Sequence, residues 1–234
     1  MAVWVHYKDA ATQAQNLARV VAGKLAGVLA AKGRATLAVP GGTTPEAFLR
    51  ILSGADIGWD RVSVLLTDER FVPEDSDRSN TRLLRSTLMQ GPAAAAGLVP
   101  LYRHAPQPED VLAALGQGIR AVLPLDICVL GMGADMHVAS LLPGADRLAE
   151  ALSPECNDVL LPMRATETPE PRLTLTASVL RAAPSLHLLI QGKDKLRALK
   201  KAERPGPATE SPVRSILTAS GEVTVHYTAT AGAA

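Results

Sequence analysis

Short, unbroken apolar runs alternate along this chain with stretches in which apolar residues recur at every third or fourth position. Val3–Tyr7, Ala35–Val39, Val62–Leu66, Leu125–Leu130, Leu186–Ile190 and Val223–Tyr227 are runs of the first kind. They predict strands buried on both faces of a parallel sheet. Between the first two, Leu17, Val20, Val21, Leu25, Val28 and Leu29 keep helical spacing, with Asp9 placed to cap the helix and Gly33 to close it. Helices are likewise expected over Glu46–Leu52, Thr81–Met89, Glu109–Leu123, Ala177–Ala182, up to about Ala202, and over Val213–Leu217. Val159–Met163 and Leu173–Leu175 are further candidate strands, and Ala93–Ala96 reads as a low-complexity surface segment. The alternation predicts an α/β protein with a doubly wound, mostly parallel sheet. No internal repeat or dividing linker is visible, so residues 1–234 read as a single domain.

The chemistry collects where four of the predicted strands end. In Leu125–Pro143, LDICVLGMGADMHVASLLP, the strand stops at Gly131-Met132-Gly133. Two glycines one residue apart allow a tight turn and a close approach to a ligand. Asp135 and His137 follow, then a segment expected to open a helix at Ala139. Open α/β sheets bind ligands just beyond the carboxyl ends of their strands. An imidazole titrates near neutrality, which suits His137 to act as general base, with Asp135 to orient it. His6, His187 and His226 lie in predicted strands, where a side chain is more often packed than catalytic, and His104 has no accompanying motif. After the second strand, Gly41-Gly42-Thr43-Thr44 offers backbone N–H groups, two hydroxyls and a helix start, a combination that suits a phosphate. Taken alone it is an ordinary turn with Thr44 as the helix cap. No Lys-Ser/Thr follows at the spacing of a nucleoside-triphosphate loop. Asp68-Glu69-Arg70 and Gly192–Lys195 are expected as the loops at the other two strand ends. Arg70, Arg172 and Lys195 are the cations available to an anionic ligand.

Composition removes several classes of function. A formal net charge of +1 over 234 residues provides no long-range field for nucleic acid or a membrane surface. Aromatic residues make up only 3%, too few for base-stacking platforms. The two cysteines, Cys128 and Cys156, form no metal-binding spacing and no disulfide framework, which predicts a reducing, cytoplasmic setting. Neither a signal peptide nor a membrane-length apolar run is seen. Serine hydrolase chemistry lacks its elbow motif around Ser140.

Several stretches together carry a specific resemblance. They are AVPGGTTPEAFL (38–49), LLTDERFVPEDSDRSNTRLL (65–84), LDICVLGMGADMHVASLLPG (125–144), PRLTLTASVL (171–180) and HLLIQGKDKLRAL (187–199). In this order they resemble the short 6-phosphogluconolactonases, across most of the chain. The resemblance implies a three-layer α/β/α, Rossmann-like fold shared with glucosamine-6-phosphate deaminases. It implies hydrolysis of a phosphorylated sugar lactone, 6-phospho-D-glucono-1,5-lactone, in the oxidative pentose phosphate pathway, with no metal or organic cofactor. In this reading Gly41, Gly42, Thr43, Thr44, Asp68, Arg172 and Lys195 bind substrate and its phosphate. His137, Asp135 and Arg70 are catalytic, Arg70 or a neighbouring N–H stabilising the oxyanion. Monomer or small homo-oligomer is expected. The family's usual GxGPDGHTASLFP reads GMGADMHVASLLP here, so Met136 stands at a usual glycine and is strained if that position has positive φ. Two other readings are a deaminase or isomerase on the same fold and a non-catalytic sugar-phosphate sensor. The deaminases resemble GxGxDGHxAFNEP at this loop, and the chain lacks that Glu after Ser140. The sensor reading expects a separate DNA-binding module, and no spare N-terminal segment is read for one.

Overall fold

The computed structural model describes residues 2–166 and 168–230. Strands β1 (Val3–Tyr7), β2 (Ala35–Val39) and β3 (Val62–Leu66) are separated by helices α1 (Ala10–Lys32) and α2 (Glu46–Ser53). The short β4 (Asp68–Arg70), α3 (Asn80–Thr87), β5 (Gly97–Val99), α4 (Leu112–Val122) and β6 (Ile127–Gly131) follow. The second half holds α5 (Leu148–Leu152), β7 (Leu160–Met163), β8 (Arg172–Leu175), α6 (Ala177–Arg181), β9 (Ser185–Gln191), α7 (Lys193–Ala202), α8 (Val213–Leu217) and β10 (Glu222–Thr228). No helix among the described residues is long and apolar enough to cross a membrane.

Seven strands form a wholly parallel sheet in the order β1-β10-β9-β6-β2-β3-β5, with helices on both sides. β2 and β6 are buried along nearly their whole length, as their unbroken apolar runs require. From β2 the chain builds outward through β3 to β5. From β6 it builds the other way, through β9 to β10. The reversal leaves a crevice between the carboxyl ends of β2 and β6, where doubly wound sheets bind ligands. α1 behaves as its pattern predicts. Asp9 accepts a hydrogen bond from the Thr12 N–H at 2.7 Å, Gly33 ends the helix at φ 74°, and Leu17, Val21, Leu25 and Leu29 face the core.

Four expectations need correcting. Asp68–Arg70 is not a loop: it pairs antiparallel with β8, which also pairs with β7, making a second sheet in the order β4-β8-β7. Ala139 opens no helix, because Pro143 has no N–H to give the Ala139 carbonyl. Instead the Leu141 N–H bonds the Val138 carbonyl at 3.0 Å, and Ala139 takes φ 49°. Ala93–Ala96 is only half at the surface: Ala94 and Ala95 are exposed, while Ala93 and Ala96 are buried. A 3₁₀ turn over Gly91–Ala95 puts residues three apart on one face. The span expected as one helix from Glu109 starts as a separate 3₁₀ turn, Pro108–Val111, before α4.

Candidate active site

A cleft of about 310 Å³ opens at the crevice between β2 and β6. All four strand-end segments reach it. Gly41, Gly42, Thr43 and Thr44 line one wall, with Asp68 and Arg70 beside them. His137, Arg172 and Lys195 complete the set of expected ligand-facing residues. Asp135 does not line the cleft but stands behind the imidazole.

The His loop is shaped by short-range geometry. A Cβ built on Gly133 would overlap the Asp135 carboxylate and the His137 ring, so only glycine lets them fold back over the backbone there. The Gly133 N–H then bonds the His137 carbonyl at 3.0 Å. Asp135 Oδ1 lies 2.6 Å from His137 Nδ1 and also accepts from the His137 N–H at 3.3 Å. A carboxylate only accepts, so Nδ1 carries a proton, and Nε2 is the nitrogen whose lone pair serves as a base. Nε2 has no protein partner among the described residues, and the His137 side chain is 34% exposed. The hydrogen bond from His137 holds the Asp135 carboxyl below the usual carboxylate range.

Met136 does adopt positive φ, at 70°. Its strain is met by contacts made by both side chain and backbone. Ser211 Oγ donates to Met136 Sδ at 3.2 Å, and the Val213 N–H bonds the Met136 carbonyl at 3.1 Å. The residue before the imidazole is thereby fastened to the start of α8.

On the other side of the cleft, the helix behind the Gly-Gly-Thr-Thr loop starts differently from expectation. Pro45, not Thr44, is the capping residue of α2, and no side chain caps it. Both threonine hydroxyls and the positive end of the helix are left to the cleft. Gly41 has a reason to be glycine: a Cβ there would collide with the Asn80 carboxamide. Asn80 itself lines the cleft and donates to the Asp68 carbonyl at 3.0 Å. Behind it, fully buried Glu69 accepts from the N–H groups of Arg70, Asn80 and Thr81 and from the hydroxyls of Ser79 and Thr81. Burial pushes the Glu69 carboxyl up, and these donors oppose the shift. Glu69 thus joins β4 to the start of α3 and sets both Arg70 and Asn80.

The cations are arranged around this wall. Arg70 and Arg172 are directly opposite each other in the β4–β8 pair, and each buries an Nε that has no hydrogen-bond partner among the described residues. Like charges opposite one another repel, so each guanidinium gains from negative charge placed in the cleft. Burial pulls the Arg172 guanidinium below its ordinary range, and Asp68 opposes that shift. Lys195, in the first turn of α7, is also lowered by burial and raised by Asp135. A cation in a first turn opposes the helix dipole and gains from an anion nearby.

Residues the sequence reading left without a role also line the cleft: Asn80, Met132, Ala139, Ser140 and Leu142. The Ser79-Asn80 pair stood in the motif, but no local pattern tells that residue 80 returns under Gly41.

Comparison with known proteins agrees with this geometry. The family profile described as glucosamine-6-phosphate isomerases/6-phosphogluconolactonase matches residues 8–225. A 6-phosphogluconolactonase of Rhizobium meliloti is 45% identical over 213 residues, 90% of this chain and 91% of that protein. One from Mesorhizobium japonicum is 45% identical over 217 residues, 92% of this chain and 90% of that protein. The crystal structure of a 6-phosphogluconolactonase from Shewanella baltica superposes with a TM-score of 0.92 at 30% identity, covering 99% of this chain and 98% of that one. The chain belongs to the glucosamine-6-phosphate isomerase/6-phosphogluconolactonase family.

Proposed function

We propose that this chain hydrolyses 6-phospho-D-glucono-1,5-lactone to 6-phospho-D-gluconate, the lactone-opening step of the oxidative pentose phosphate pathway. Its lactonase relatives, matched over nine-tenths of their length, support the reaction. The observation that carries the chemistry is the juxtaposition of an imidazole with an open Nε2 and two facing arginines with unpartnered Nε atoms, in one cleft.

In the mechanism, the Gly41–Thr44 loop, Lys195 and Arg172 hold the phosphate. His137 Nε2 takes a proton from a water as its oxygen attacks lactone C1. Asp135 holds the ring in that tautomer and stabilises the imidazolium that forms. Arg70 or a neighbouring N–H faces the developing oxyanion, the usual route by which acyl transfer is accelerated. As the C1–O5 bond breaks, the imidazolium returns its proton to the ring oxygen. A lactone is reactive enough that a positioned base with charge stabilisation is sufficient. Leu142 lines the cleft close after Ser140. An acid that would support ring opening in a deaminase is not found in this stretch, which weighs against that reading. Both cysteines are free, in keeping with a reducing cytoplasm, and we take the working unit as a monomer or small homo-oligomer.

The test is a coupled assay in which 6-phosphogluconate dehydrogenase reports product. Fast turnover of the phosphorylated lactone, with gluconolactone a poor substrate, is expected. Equal kcat/KM for the two lactones would remove the phosphate assignment, and no turnover of either would remove the lactonase reading.

A further inference from the structure

The His loop delivers a second polar side chain to the cleft, and the mechanism above gives it no task. Ser140 is only 1% exposed, yet it lines the cleft. Its Oγ donates to Asp68 Oδ2 at 2.5 Å, and its backbone N–H donates to Thr174 Oγ1 at 3.2 Å. One residue of the His loop therefore binds both strands that carry Asp68 and Arg172. The residue before it, Ala139, is held at φ 49°, a conformation that crowds the Cβ of a non-glycine residue. The same device precedes His137, where Met136 has φ 70°. Each of the two strained residues in this loop stands immediately before a side chain of the cleft. Strain held at such points is a sign that the following side chain is being aimed.

The object of that aim is Asp68, itself 7% exposed. Its carbonyl is held by Asn80, and its Oδ2 by Ser140. Among the described residues its Oδ1 has only a long 3.3 Å contact, from Thr67 Oγ1. This oxygen is the acceptor left over for a ligand. A carboxylate accepts hydrogen bonds and repels phosphate, so what it recognises is a hydroxyl. The cleft thus separates its tasks by charge, with cations and N–H groups for the phosphate and Asp68 for the sugar.

We propose that Ser140 is a positioning residue acting through Asp68. Its hydroxyl fixes the carboxylate so that Oδ1 accepts from one ring hydroxyl of the phosphosugar lactone. The proposal rests on the lactonase reading above. If Ser140 merely joined the loop to β4, its loss would lower stability without changing which hydroxyl matters.

The experiment compares wild type with Ser140→Ala, its fold checked by circular dichroism, on 6-phosphogluconolactone and on the 2-, 3- and 4-deoxy lactones. Wild type is expected to lose about ten- to a hundredfold in kcat/KM on one deoxy lactone, the range of a hydrogen bond to a charged group. Ser140→Ala should lose about tenfold on the parent lactone and discriminate against that deoxy lactone by less than about threefold, because coupled sites are not additive. Asp68→Asn, with Ser140 intact, should show the same loss of discrimination and serves if Ser140→Ala does not fold. Independent, multiplying losses in either variant would overturn the proposal, as would wild-type kcat/KM in Ser140→Ala. Wild type that leaves the parent lactone untouched would instead overturn the lactonase reading, and the proposal with it.

Discussion

Two imidazole assemblies sit on the same parallel sheet, and they are built in opposite ways. At its carboxyl edge, His137 bonds one carboxylate through Nδ1 and leaves Nε2 open to a cleft. Within the sheet, His187 and His226 form a closed chain across β9, β10 and β1. Ser185 Oγ lies 3.0 Å from His187 Nε2, His187 Nδ1 lies 3.0 Å from His226 Nε2, and His226 Nδ1 lies 2.8 Å from the Tyr7 hydroxyl. Every ring nitrogen of the inner pair has a partner, and the residues are 1% and 2% exposed. Burial, with the neighbouring imidazole and Lys24 adding to it, pushes His187 down to about 3, and burial takes His226 to about 4. The inner pair is neutral, satisfied and structural. The outer residue has the free lone pair that proton transfer requires. Partner count, more than residue type, decides which imidazole can do chemistry.

The largest expected effect breaks the outer assembly. His137→Ala should lower kcat by about 10²–10⁴-fold with little change in KM, because a positioned base contributes that much and does not hold the phosphate. Steady-state kinetics read the split, and a rise confined to KM would assign His137 to binding. Lys195→Ala should do the reverse, raising KM by about ten- to a hundredfold for loss of a charge-assisted contact worth about 1.5–3 kcal/mol. An unchanged KM would place the phosphate elsewhere.

The inner assembly is challenged by pH. The two folded-state values lie below that of an unfolded histidine, near 6.5, so below that pH the unfolded chain binds more protons. Stability should be full above about pH 6.5 and fall as pH drops toward 4, by about 1.4 kcal/mol per pH unit for each imidazole involved. Urea midpoints between pH 7 and 5 isolate this, since most carboxylates titrate lower. A flat profile over that window would mean that the pair is not held neutral. The smallest effect is expected from Met136→Gly, which removes the Ser211 contact but relieves the positive φ. Activity should stay within about tenfold, or ~1.4 kcal/mol of barrier. A larger loss would show that the outer loop depends on its thioether anchor.

The parallel sheet was legible because its runs are locally distinctive. Val62–Leu66 and Leu186–Ile190 cannot be half-exposed and remain so apolar, and Asp9 and Gly33 mark α1 by their own chemistry. In the second sheet β7 and β8 were legible as well, but β4 was not, because Asp68-Glu69-Arg70 has no strand pattern and becomes a strand only by pairing with residues about a hundred positions later. β5 and α5 are too short to carry a period. The expected helix at Ala139 misjudged a turn whose decisive feature, Pro143, lies four residues on. The site residues divide in the same way. His137, Asp135 and the Gly-Gly-Thr-Thr loop announce themselves over a few positions. Asn80 and Ser140 owe their places to Gly41 and Asp68, 39 and 72 residues away.

The most direct test of His137 as the base is chemical rescue. His137→Gly leaves a space for an added imidazole in the same cleft. Single-turnover hydrolysis of 6-phosphogluconolactone would be followed as imidazole is added, with the rate of imidazole acting on lactone in buffer subtracted. A slow variant whose rate climbs to a plateau with imidazole, and follows the concentration of its neutral form, is the expected result. Near-wild-type turnover without imidazole, or a slow variant that imidazole leaves unchanged, would contradict the assignment and leave His137 a structural partner of Asp135.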